Sequence, residues 1–385
     1  MINNIPVNND STMIWDISDN LYSESRTVST MPRSITNGYV VKFKDTFYMV
    51  GGSSDASFPS YKYVNGEWVV DTVLGAISIL KNNDYRDYYN YSNGGVVAND
   101  NNMYITTYAT NSYGSHSRGN IITYNGTSKT DVTQYFGYYN SGYYRRGNIG
   151  ISASGTKYKT ISYGEHTNAN YPDNSYGYGL RLGSTSGGST STNEYKVIKS
   201  YETNSKGQNK YFQPLCQGVY FEDKPTFIIN IREWSQNYSS SSGGTFYDYY
   251  YHSILIQVDD NGNVIQAIEL PDCSTLITDM VNINNYIYIT YSSGVVYRYG
   301  AKTHKWEKVD IGSGSLVLHD GEIHKFYDKN HTAHKLYRTA KTYAPKGTKI
   351  YLPYETSATS TNLQPIEGGF IVTESGNIEL KIYDY

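Results

Sequence analysis

Little charge, few cysteines and no long hydrophobic run distinguish this sequence from several classes of protein. Of its 385 residues, 32 are Lys or Arg and 35 are Asp or Glu, so the formal net charge is −3. Proteins that neutralise nucleic-acid phosphates carry clustered basic residues, and this chain has no such cluster. Two cysteines are too few for a disulfide scaffold. No apolar run reaches the length of a transmembrane helix, and residues 1–10 do not resemble a signal peptide.

Tyrosine is the residue that the sequence has in abundance. The chain contains 44 Tyr and 35 Gly, and aromatic residues make up 15% of it. A disordered chain would be poor in aromatic residues and rich in charge, so the composition predicts a folded protein. Tyr, Thr, Val and Ile favour strands, while Gly, Asn, Ser and Asp favour the turns between them. The composition therefore favours one large all-β architecture.

A repeated pattern divides most of the chain into six units. Each unit begins with an alternating apolar strand, continues through a two-residue turn and enters a second strand. Turn pairs such as Asn284-Asn285 and Asp320-Gly321 are typical of β-hairpins. Two further strands follow, and four antiparallel strands repeated around an axis predict a β-propeller. The equivalent position of the second strand is held by Tyr48, Tyr104, Tyr158, Phe227, Tyr288 and His324.

The last unit lacks a fourth strand, and the N-terminus offers a replacement. The segment at 13–18 contains Trp15, as the fourth strands of two other units contain Trp68 and Trp306. We therefore predict that this segment completes the last blade, because such closure hides the edges of an open sheet.

The first unit also carries the signature of a known repeat. Gly51-Gly52 follows its second strand, and Tyr61, Tyr63 and Trp68 come after the doublet. This spacing resembles the kelch repeat, and Trp15 followed by Met-Pro-Arg at 31–33 resembles the join between two kelch units. The resemblance is good over residues 13–70 and degenerate over most of the rest. It implies an all-β, six-bladed, kelch-like propeller closed by an N-terminal strand, and it does not give a function.

This interpretation divides the chain into two parts. We predict a propeller over residues 1–339 and a small β extension over residues 340–385. A closed ring has no need of the extension, so we expect it to serve attachment or oligomerisation.

Chain parity predicts where the long connections lie. In a four-stranded antiparallel blade, the turns after strands one and three leave one face, and the connections after strands two and four leave the other. The tight turns belong to the first set. The long insertions belong to the second set, at residues 73–93, 108–118, 136–146, 163–176, 201–216 and 231–252. Because these loops are long and rich in Tyr, Ser, Gly and Asn, they are typical of recognition surfaces.

These insertions supply the candidate ligand-binding residues. Tyr offers an aromatic face with a hydroxyl, and Arg can bind carboxylate, phosphate or sugar hydroxyls. An AT-rich gene, ordinary strand filling or solubility would also explain such residues, Arg146 included. The candidates are Trp234, Tyr88, Tyr89, Arg86, Tyr113, Tyr139, Tyr143, Tyr144, Arg145, Tyr171, Tyr176, Arg232, Tyr247 and Tyr249.

The sequence gives little support for catalysis, a cofactor or a metal. It contains no phosphate-binding glycine loop, zinc-protease motif or nucleophile-elbow motif. His331 and His334 could bind a metal, but alternating strand positions and a hairpin are the commoner explanation, so we predict no metal site. We expect the two cysteines to be buried thiols. The carboxylates that could face the same surface are Asp84, Asp87, Glu165, Asp173, Glu233 and Asp248.

The whole pattern resembles receptor-binding proteins of phage tails or tail-like bacteriocins of low-GC Gram-positive bacteria. That resemblance implies a protein of a virion or tail-like particle that binds a bacterial cell-surface glycan and contacts other tail or baseplate subunits through its C-terminal extension. It implies no nucleic acid and no membrane insertion. A carbohydrate-active enzyme and a kelch-type protein-interaction scaffold are the alternatives.

Overall fold

The computed structural model describes residues 16–52, 58–81, 94–109, 116–138, 149–166, 177–185, 196–197, 210–239, 244–259, 263–271, 277–344, 349–350, 356–358, 363–366, 369–372 and 376–384. All regular elements in these ranges are β-strands. No helix in these ranges is long and apolar enough to cross a membrane.

Five sheets along the described chain have the form of antiparallel blades. After β1 (Asp16–Ile17) and β2 (Tyr22–Thr30), sheet A contains β3 (Gly38–Phe43), β4 (Thr46–Gly51), β5 (Tyr61–Val64) and β6 (Glu67–Val70). Sheet B contains β7 (Val96–Ala98), β8 (Met103–Ala109), β9 (His116–Tyr124) and β10 (Lys129–Tyr138). Sheet C contains β11 (Ile149–Ser154), β12 (Lys157–His166), β13 (Gly177–Thr185) and β14 (Lys196–Val197). Sheet D contains β15 (Lys210–Pro214), β16 (Val219–Phe221), β17 (Lys224–Ser239), β18 (Gly244–Val258) and β19 (Val264–Ile268). Sheet E contains β20 (Ile277–Ile283), β21 (Tyr286–Tyr291), β22 (Val296–Gly300) and β23 (Trp306–Val309).

The C-terminal part forms two further sheets of different shape. Sheet F has seven strands. They are β1, β2, β24 (Ser315–His319), β25 (Glu322–Tyr327), β26 (Asn330–Ala344), β28 (Thr356–Ala358) and β31 (Gly376–Asp384). Sheet G contains β27 (Lys349–Ile350), β29 (Leu363–Ile366) and β30 (Gly369–Val372).

The first two strands of each repeat are joined by tight turns. Lys44-Asp45 has φ of 47° and 61°, and Asn284-Asn285 has φ of 50° and 61°. Two consecutive positive φ values are those of a type I′ turn, whose twist suits a two-residue hairpin. The turn prediction at these pairs is confirmed.

The innermost strands of the sheets form a closed circle. Strand β3 contacts β7, β7 contacts β11, β11 contacts β16, β16 contacts β20, β20 contacts β24, and β24 contacts β3 again. They surround a cavity of about 310 Å³ lined mainly by Val, Ala and Leu side chains. Sheets arranged radially around a central channel define one architecture. The fold is a β-propeller.

Two finer predictions need correction. Within the described chain, five sheets have the simple blade form, and the last repeat belongs instead to the seven-stranded sheet F. The reason is the length of β26, which has 15 residues and outruns β25. Because it is longer than β25, β26 can pair with several other strands along its length.

Closure of the ring by a strand at 13–18 is not confirmed. Only Asp16 and Ile17 of that segment form a described strand, and they pair with Lys341 and Ala340. The longer pairing with β26 is made by β2, from Tyr22 opposite Tyr337 to Thr30 opposite Asn330. Trp15 lies outside the described residues.

The hydrophobic core lies between neighbouring sheets. One cluster joins sheets A and B, another joins D and E, and others join B to C, E to F and F to A. The repeated aromatic position contributes to these contacts. Tyr104 of sheet B lies with its ring centroid 5.1 Å from that of Tyr158 in sheet C. This repeated position therefore joins one sheet to the next.

The glycine doublet of the first repeat has a clear structural role. Gly51 and Gly52 have φ of 71° and 95°, which side-chain-bearing residues rarely adopt. A Cβ atom on Gly51 would come within 2.4 Å of Ile79 Cγ1. The Gly52 N–H donates to the Ile79 carbonyl at 2.8 Å, and the Arg33 guanidinium donates to the Gly51 carbonyl. The doublet thus lets β4 approach two other segments closely.

The C-terminal extension is continuous with sheet F. The predicted boundary at 339 falls inside β26, and β31 pairs with β26 from Leu336 opposite Asp384 to Ala344 opposite Gly376. Strand β25 pairs with β26 only as far as His334. The extension therefore projects past the Asp320-Gly321 turn, on the face that carries the tight turns.

Buried ionic contacts attach the end of the chain to sheet E. The Arg298 side chain is 3% exposed and pairs with Asp384. Its Nε also donates to Glu307 Oε2 at 2.8 Å, and Arg338 Nη2 donates to the other Glu307 oxygen at 2.5 Å. Each of these charges has an opposite partner, as burial requires. At the exposed edge of sheet F, Lys381 pairs with Glu24 of β2.

Candidate binding face

Antiparallel order assigns the connections to two opposite faces. The turns at Lys44-Asp45, Glu222-Asp223, Asn284-Asn285 and Asp320-Gly321 share one face, which we call the turn face. The other face receives the end of β17, the start of β18 and the starts of the innermost strands, and we call it the extended face. The described strand ends that flank the predicted insertions lie at the extended face by this parity, whereas most residues of the insertions lie outside the described residues and their placement stays a prediction.

The most developed feature of the extended face is a long hairpin of sheet D. Strands β17 and β18 have 16 and 15 residues and pair continuously from Thr226 opposite Gln257 to Ser239 opposite Gly244. Asn230 and Ser253 are opposite each other and both are buried. Beyond them, residues 231–239 and 244–252 form what we call the arm. At about 3.3 Å per residue the arm is roughly 30 Å long.

The arm shows that one loop prediction is wrong, and its strand register includes four of the candidate residues. Residues 231–252 are predicted to be a loop, but strand pairing continues through them, and their Tyr, Phe, Trp, Thr and Ile residues favour strands. Arg232 is opposite Tyr251, Trp234 is opposite Tyr249, and Gln236 is opposite Tyr247. Alternate positions share a face of a strand pair, so these positions belong to one face of the arm.

The other candidate residues lie outside the described residues, and their assignment stays a prediction. They are Tyr88, Tyr89, Arg86, Tyr113, Tyr139, Tyr143, Tyr144, Arg145, Tyr171 and Tyr176.

A polar cluster lies near the propeller axis on the extended face. Lys81 pairs with Asp279 at the start of sheet E, and each side chain is 10% exposed. The Lys81 Nζ is also 3.5 Å from Ser315 Oγ in sheet F and 4.9 Å from the centre of the Tyr39 ring in sheet A. One ammonium group therefore contacts three sheets across the ring.

Glycines allow the strands to converge beside this cluster. A Cβ atom on Gly94 would lie 1.9 Å from the Thr106 carbonyl oxygen, and one on Gly95 would lie 1.9 Å from the Cys216 carbonyl oxygen. Tyr39 Oη donates to the Gly94 carbonyl at 2.7 Å. Only glycine permits this approach of backbone to backbone.

Burial determines the protonation state of two side chains next to the cluster, Cys216 and Tyr39. The Cys216 thiol is buried and unbridged, and burial raises its pKa to about 12. Burial, followed by the proximity of Cys216 and Asp279, raises the pKa of Tyr39 well above its usual value. Both groups are neutral at physiological pH, so Cys216 is inert as a nucleophile. The expected buried thiol is confirmed for Cys216, while Cys273 lies outside the described residues.

The histidines of sheet F form a buried chain rather than a metal site. His324 Nδ1 and His331 Nε2 are 2.8 Å apart, and His331 Nδ1 is 2.8 Å from Ser29 Oγ. Burial first, and neighbouring charges second, lower the pKa of His324 to about 4 and that of His331 to about 3. His331 and His334 both lie within β26. Among the described residues, no group of at least three His, Cys, Asp or Glu is placed to hold a metal ion.

Sequence reasoning missed the polar cluster because its members are far apart in the chain. Lys81 and Asp279 are separated by 198 positions. Lys81 follows an apolar segment, and Asp279 lies within an ordinary strand. No local pattern in the sequence links these two positions.

Comparisons with known proteins do not identify a family for this chain. No protein-family model and no curated protein matches the chain. The structure of YjhT is 12% identical over 80% of this chain and 96% of that chain, with a TM-score of 0.42. The RRP9 WD40 repeats are 8% identical over 84% of this chain and 99% of that chain, with a TM-score of 0.34. YCF48 bound to D1 peptide is 12% identical over 94% of this chain and 97% of that chain, with a TM-score of 0.31. At these identities the similarities concern the fold alone.

Proposed function

We propose that this protein is a binding protein that recognises a polar glycan on a bacterial cell surface through its extended face. The observation that carries the proposal is the arm, which presents Trp234, Tyr249, Tyr247 and Arg232 at positions of one face. Aromatic rings stack on the apolar side of a pyranose, while hydroxyl, amide and guanidinium groups bind its oxygens.

The construction of the arm supports a role in recognition. Strand β15 pairs with β17 only as far as Lys210 opposite Glu233. From Trp234 to the tip, the described arm is a two-stranded ladder. Such a hairpin is marginally stable in water by itself. A ladder of this length that served only to connect two strands would be replaced by a short turn at little cost, so we infer that its aromatic face is used for binding.

The position of the extension supports separate roles for the two faces of the propeller. The extension leaves the turn face, whereas the arm leaves the extended face. We propose that the extension attaches the protein to a phage tail or tail-like particle and leaves the arm directed at the cell. A single sugar site binds weakly, with a Kd on the order of 0.1–1 mM, so several copies on one particle would provide avidity.

The direct test is binding of the purified chain to a glycan array and to whole Gram-positive cells. We expect binding that is removed by Trp234→Ala and retained by Val64→Ala. Val64 is a suitable control because it is exposed at the end of β5, which by strand order lies on the turn face. Absence of binding to every glycan and cell type would overturn the proposal.

A glycosidase is the second candidate, and one feature of the arm favours it. Glu233 is opposite Tyr250, and Asp248 is opposite Ser235, so the two acidic positions are diagonal neighbours on one face. Diagonal positions lie about 7–8 Å apart along the backbone, a spacing from which two side chains can reach the roughly 6.5–9.5 Å carboxylate separation of inverting glycosidases. Release of reducing sugar from bound glycan, abolished by Glu233→Gln and by Asp248→Asn, would establish this alternative.

A further inference from the structure

One arginine of the extended face has no carboxylate partner among the described residues. The segment at 31–37 connects β2 to the start of β3 and lies on the extended face by strand order. It carries Arg33, one of four arginines whose side chains the structure describes. The other three form ion pairs with carboxylates, and they are Arg26, Arg298 and Arg338.

The described contacts of the Arg33 guanidinium are with backbone carbonyls. It donates to the Gly51 carbonyl and, through Nη1, to the Ser34 carbonyl at 3.3 Å. Its Nε is buried and has no hydrogen-bond acceptor among the described residues. Asp328 contacts the same segment through its backbone, whose carbonyl accepts the Ile35 N–H at 3.1 Å. Because a guanidinium has five N–H donors, the two carbonyls use only part of its capacity and leave its charge uncompensated.

Holding the chain together does not explain a charge at this position. Burial lowers the pKa of Arg33 from its usual value, although the neighbouring Tyr61 acts in the opposite direction. Arginine nevertheless stays protonated in proteins, so the half-buried side chain keeps its charge. A neutral Gln or Asn could donate to the same carbonyls without the cost of desolvating a cation. An anion from outside the chain would compensate that cost.

An exposed aromatic ring lies beside this cation. Phe58 belongs to the connection between β4 and β5, which by strand order lies on the extended face. Its side chain is 43% exposed, and Arg33 Cζ lies 5.1 Å from the centre of its ring. A Cβ atom on Gly52 would come within 2.8 Å of Arg33 Nη1, so glycine leaves room for the guanidinium. An exposed ring next to a cation suits a sugar that carries an oxyanion, because the ring can stack on the pyranose while the guanidinium binds the oxyanion.

We propose that Arg33 and Phe58 form an anion-binding subsite of the extended face for a sugar that carries a carboxylate or a phosphate. The proposal rests on the function proposed above and names the class of glycan as anionic. The shared chemistry is an oxyanion on a pyranose, which either a uronic acid or a phosphodiester-linked sugar provides.

The experiment compares three probes by titration calorimetry. They are an oligogalacturonate, the same oligosaccharide after reduction of its carboxyl groups, and a phosphodiester-linked glucose oligomer. We expect at least one anionic probe to bind the wild-type chain about tenfold more tightly than the neutral probe, because charge-assisted hydrogen bonds are the stronger ones. The anionic probe that shows this preference identifies the source of the oxyanion.

Three variants assign the preference to the subsite. Arg33→Gln should remove the preference and leave the affinity for the neutral probe unchanged. Phe58→Ala should weaken the binding of all three probes by about fivefold, since it removes the stacking surface. Arg26→Gln is the matched control, because it removes one positive charge from a residue that pairs with Glu322 near the turn face. It should bind every probe as the wild-type chain does.

A titration of the wild-type chain with inorganic phosphate and with acetate tests the subsite without any variant. We expect the NMR signal of the Arg33 Nε–H to shift with at least one anion while that of Arg26 does not. An unmoved Arg33 signal, equal shifts at both arginines, or equal affinities for the anionic and neutral probes would overturn the subsite. Equal affinities would leave the proposed function standing. If no oligosaccharide or cell binds the wild-type chain, the proposed function fails, whereas the phosphate and acetate titrations still decide whether Arg33 binds an anion.

Discussion

The arm and the C-terminal extension are built in the same way and stabilised differently. Each continues two paired strands past the ring, β17 with β18 at the extended face and β26 with β31 at the turn face. The extension is held by buried charges, since Arg298 contacts both Asp384 and Glu307. The described arm has strand β15 at its base and only two strands beyond Glu233. We infer that one projection is part of the scaffold and the other is available to a ligand.

The largest effect should come from removing the charge that holds the extension. Arg298→Met leaves Asp384 without its buried partner and weakens the hold on Glu307. We expect the free energy of unfolding to fall by about 3 kcal/mol, the lower end for a broken buried pair, because both carboxylates keep some contact with solvent. Urea denaturation monitored by tryptophan fluorescence measures it.

The control for this change is Arg26→Met. Arg26 pairs with Glu322, but its side chain is 59% exposed. An exposed pair contributes about 0–1 kcal/mol. Equal losses in the two variants would show that the Arg298 network does not hold the extension in the way we describe.

The arm should respond in the opposite way, in binding rather than in stability. We expect Trp234→Ala and Tyr249→Ala each to lower glycan affinity by roughly 30-fold, about 2 kcal/mol, because aromatic anchors dominate binding surfaces. The melting temperature should not change. Titration calorimetry with the bound glycan measures the effect, and a fall in melting temperature with intact affinity would assign the arm to the scaffold.

Acid should weaken sheet F, which carries the extension, without involving the arm. Burial holds the pKa of His324, His331 and His334 at about 4, 3 and 4, below the usual 6.5. The unfolded chain therefore binds more protons below pH 6.5, and stability is lost as the pH falls from 6.5 towards 4. His319, Arg26 and Lys325 around these rings oppose a positive charge there, whereas Glu322 and Asp320 favour it.

The pH dependence is measured by thermal unfolding between pH 7.5 and pH 4. His331→Gln should flatten the curve, since it removes the most deeply buried imidazole, while His304→Asn should leave it unchanged because His304 is exposed. Equal slopes for all three proteins would exclude the histidine chain as the cause.

The smallest effect should come from the exposed end of the extension. Lys381 pairs with Glu24, and the two side chains are 26% and 43% exposed. Solvent screens such a pair, so Lys381→Met should cost less than about 1 kcal/mol. A larger loss in urea denaturation would mean that the extension depends on this contact as well as on Arg298.

Turn residues and strand composition are local in the sequence, so they predict the repeated blades. Contacts between residues that are far apart in the sequence cannot be predicted in this way. Asn284-Asn285 and Gly51-Gly52 indicate their turns because few other residues adopt positive φ. The length of β17 was missed because Tyr and Ser suit loops and strands alike. The pairing of β31 with β26 and the contact of Lys81 with Asp279 depend on which segments meet after folding. No neighbouring residue in the sequence carries that information. The sequence therefore predicts which face of the propeller holds the candidate site, but not the contacts between distant residues that support it.

The most direct test of the account is the location of hydrogen-exchange protection when the purified protein binds its glycan or host cell-wall fragments. We predict protection in residues 231–252 and around Lys81 and Gly94, with no change at the Asp320-Gly321 turn or in β31. Protection centred on the turn face or on the C-terminal extension would contradict the account, because the ligand would then bind at the face that we assign to attachment.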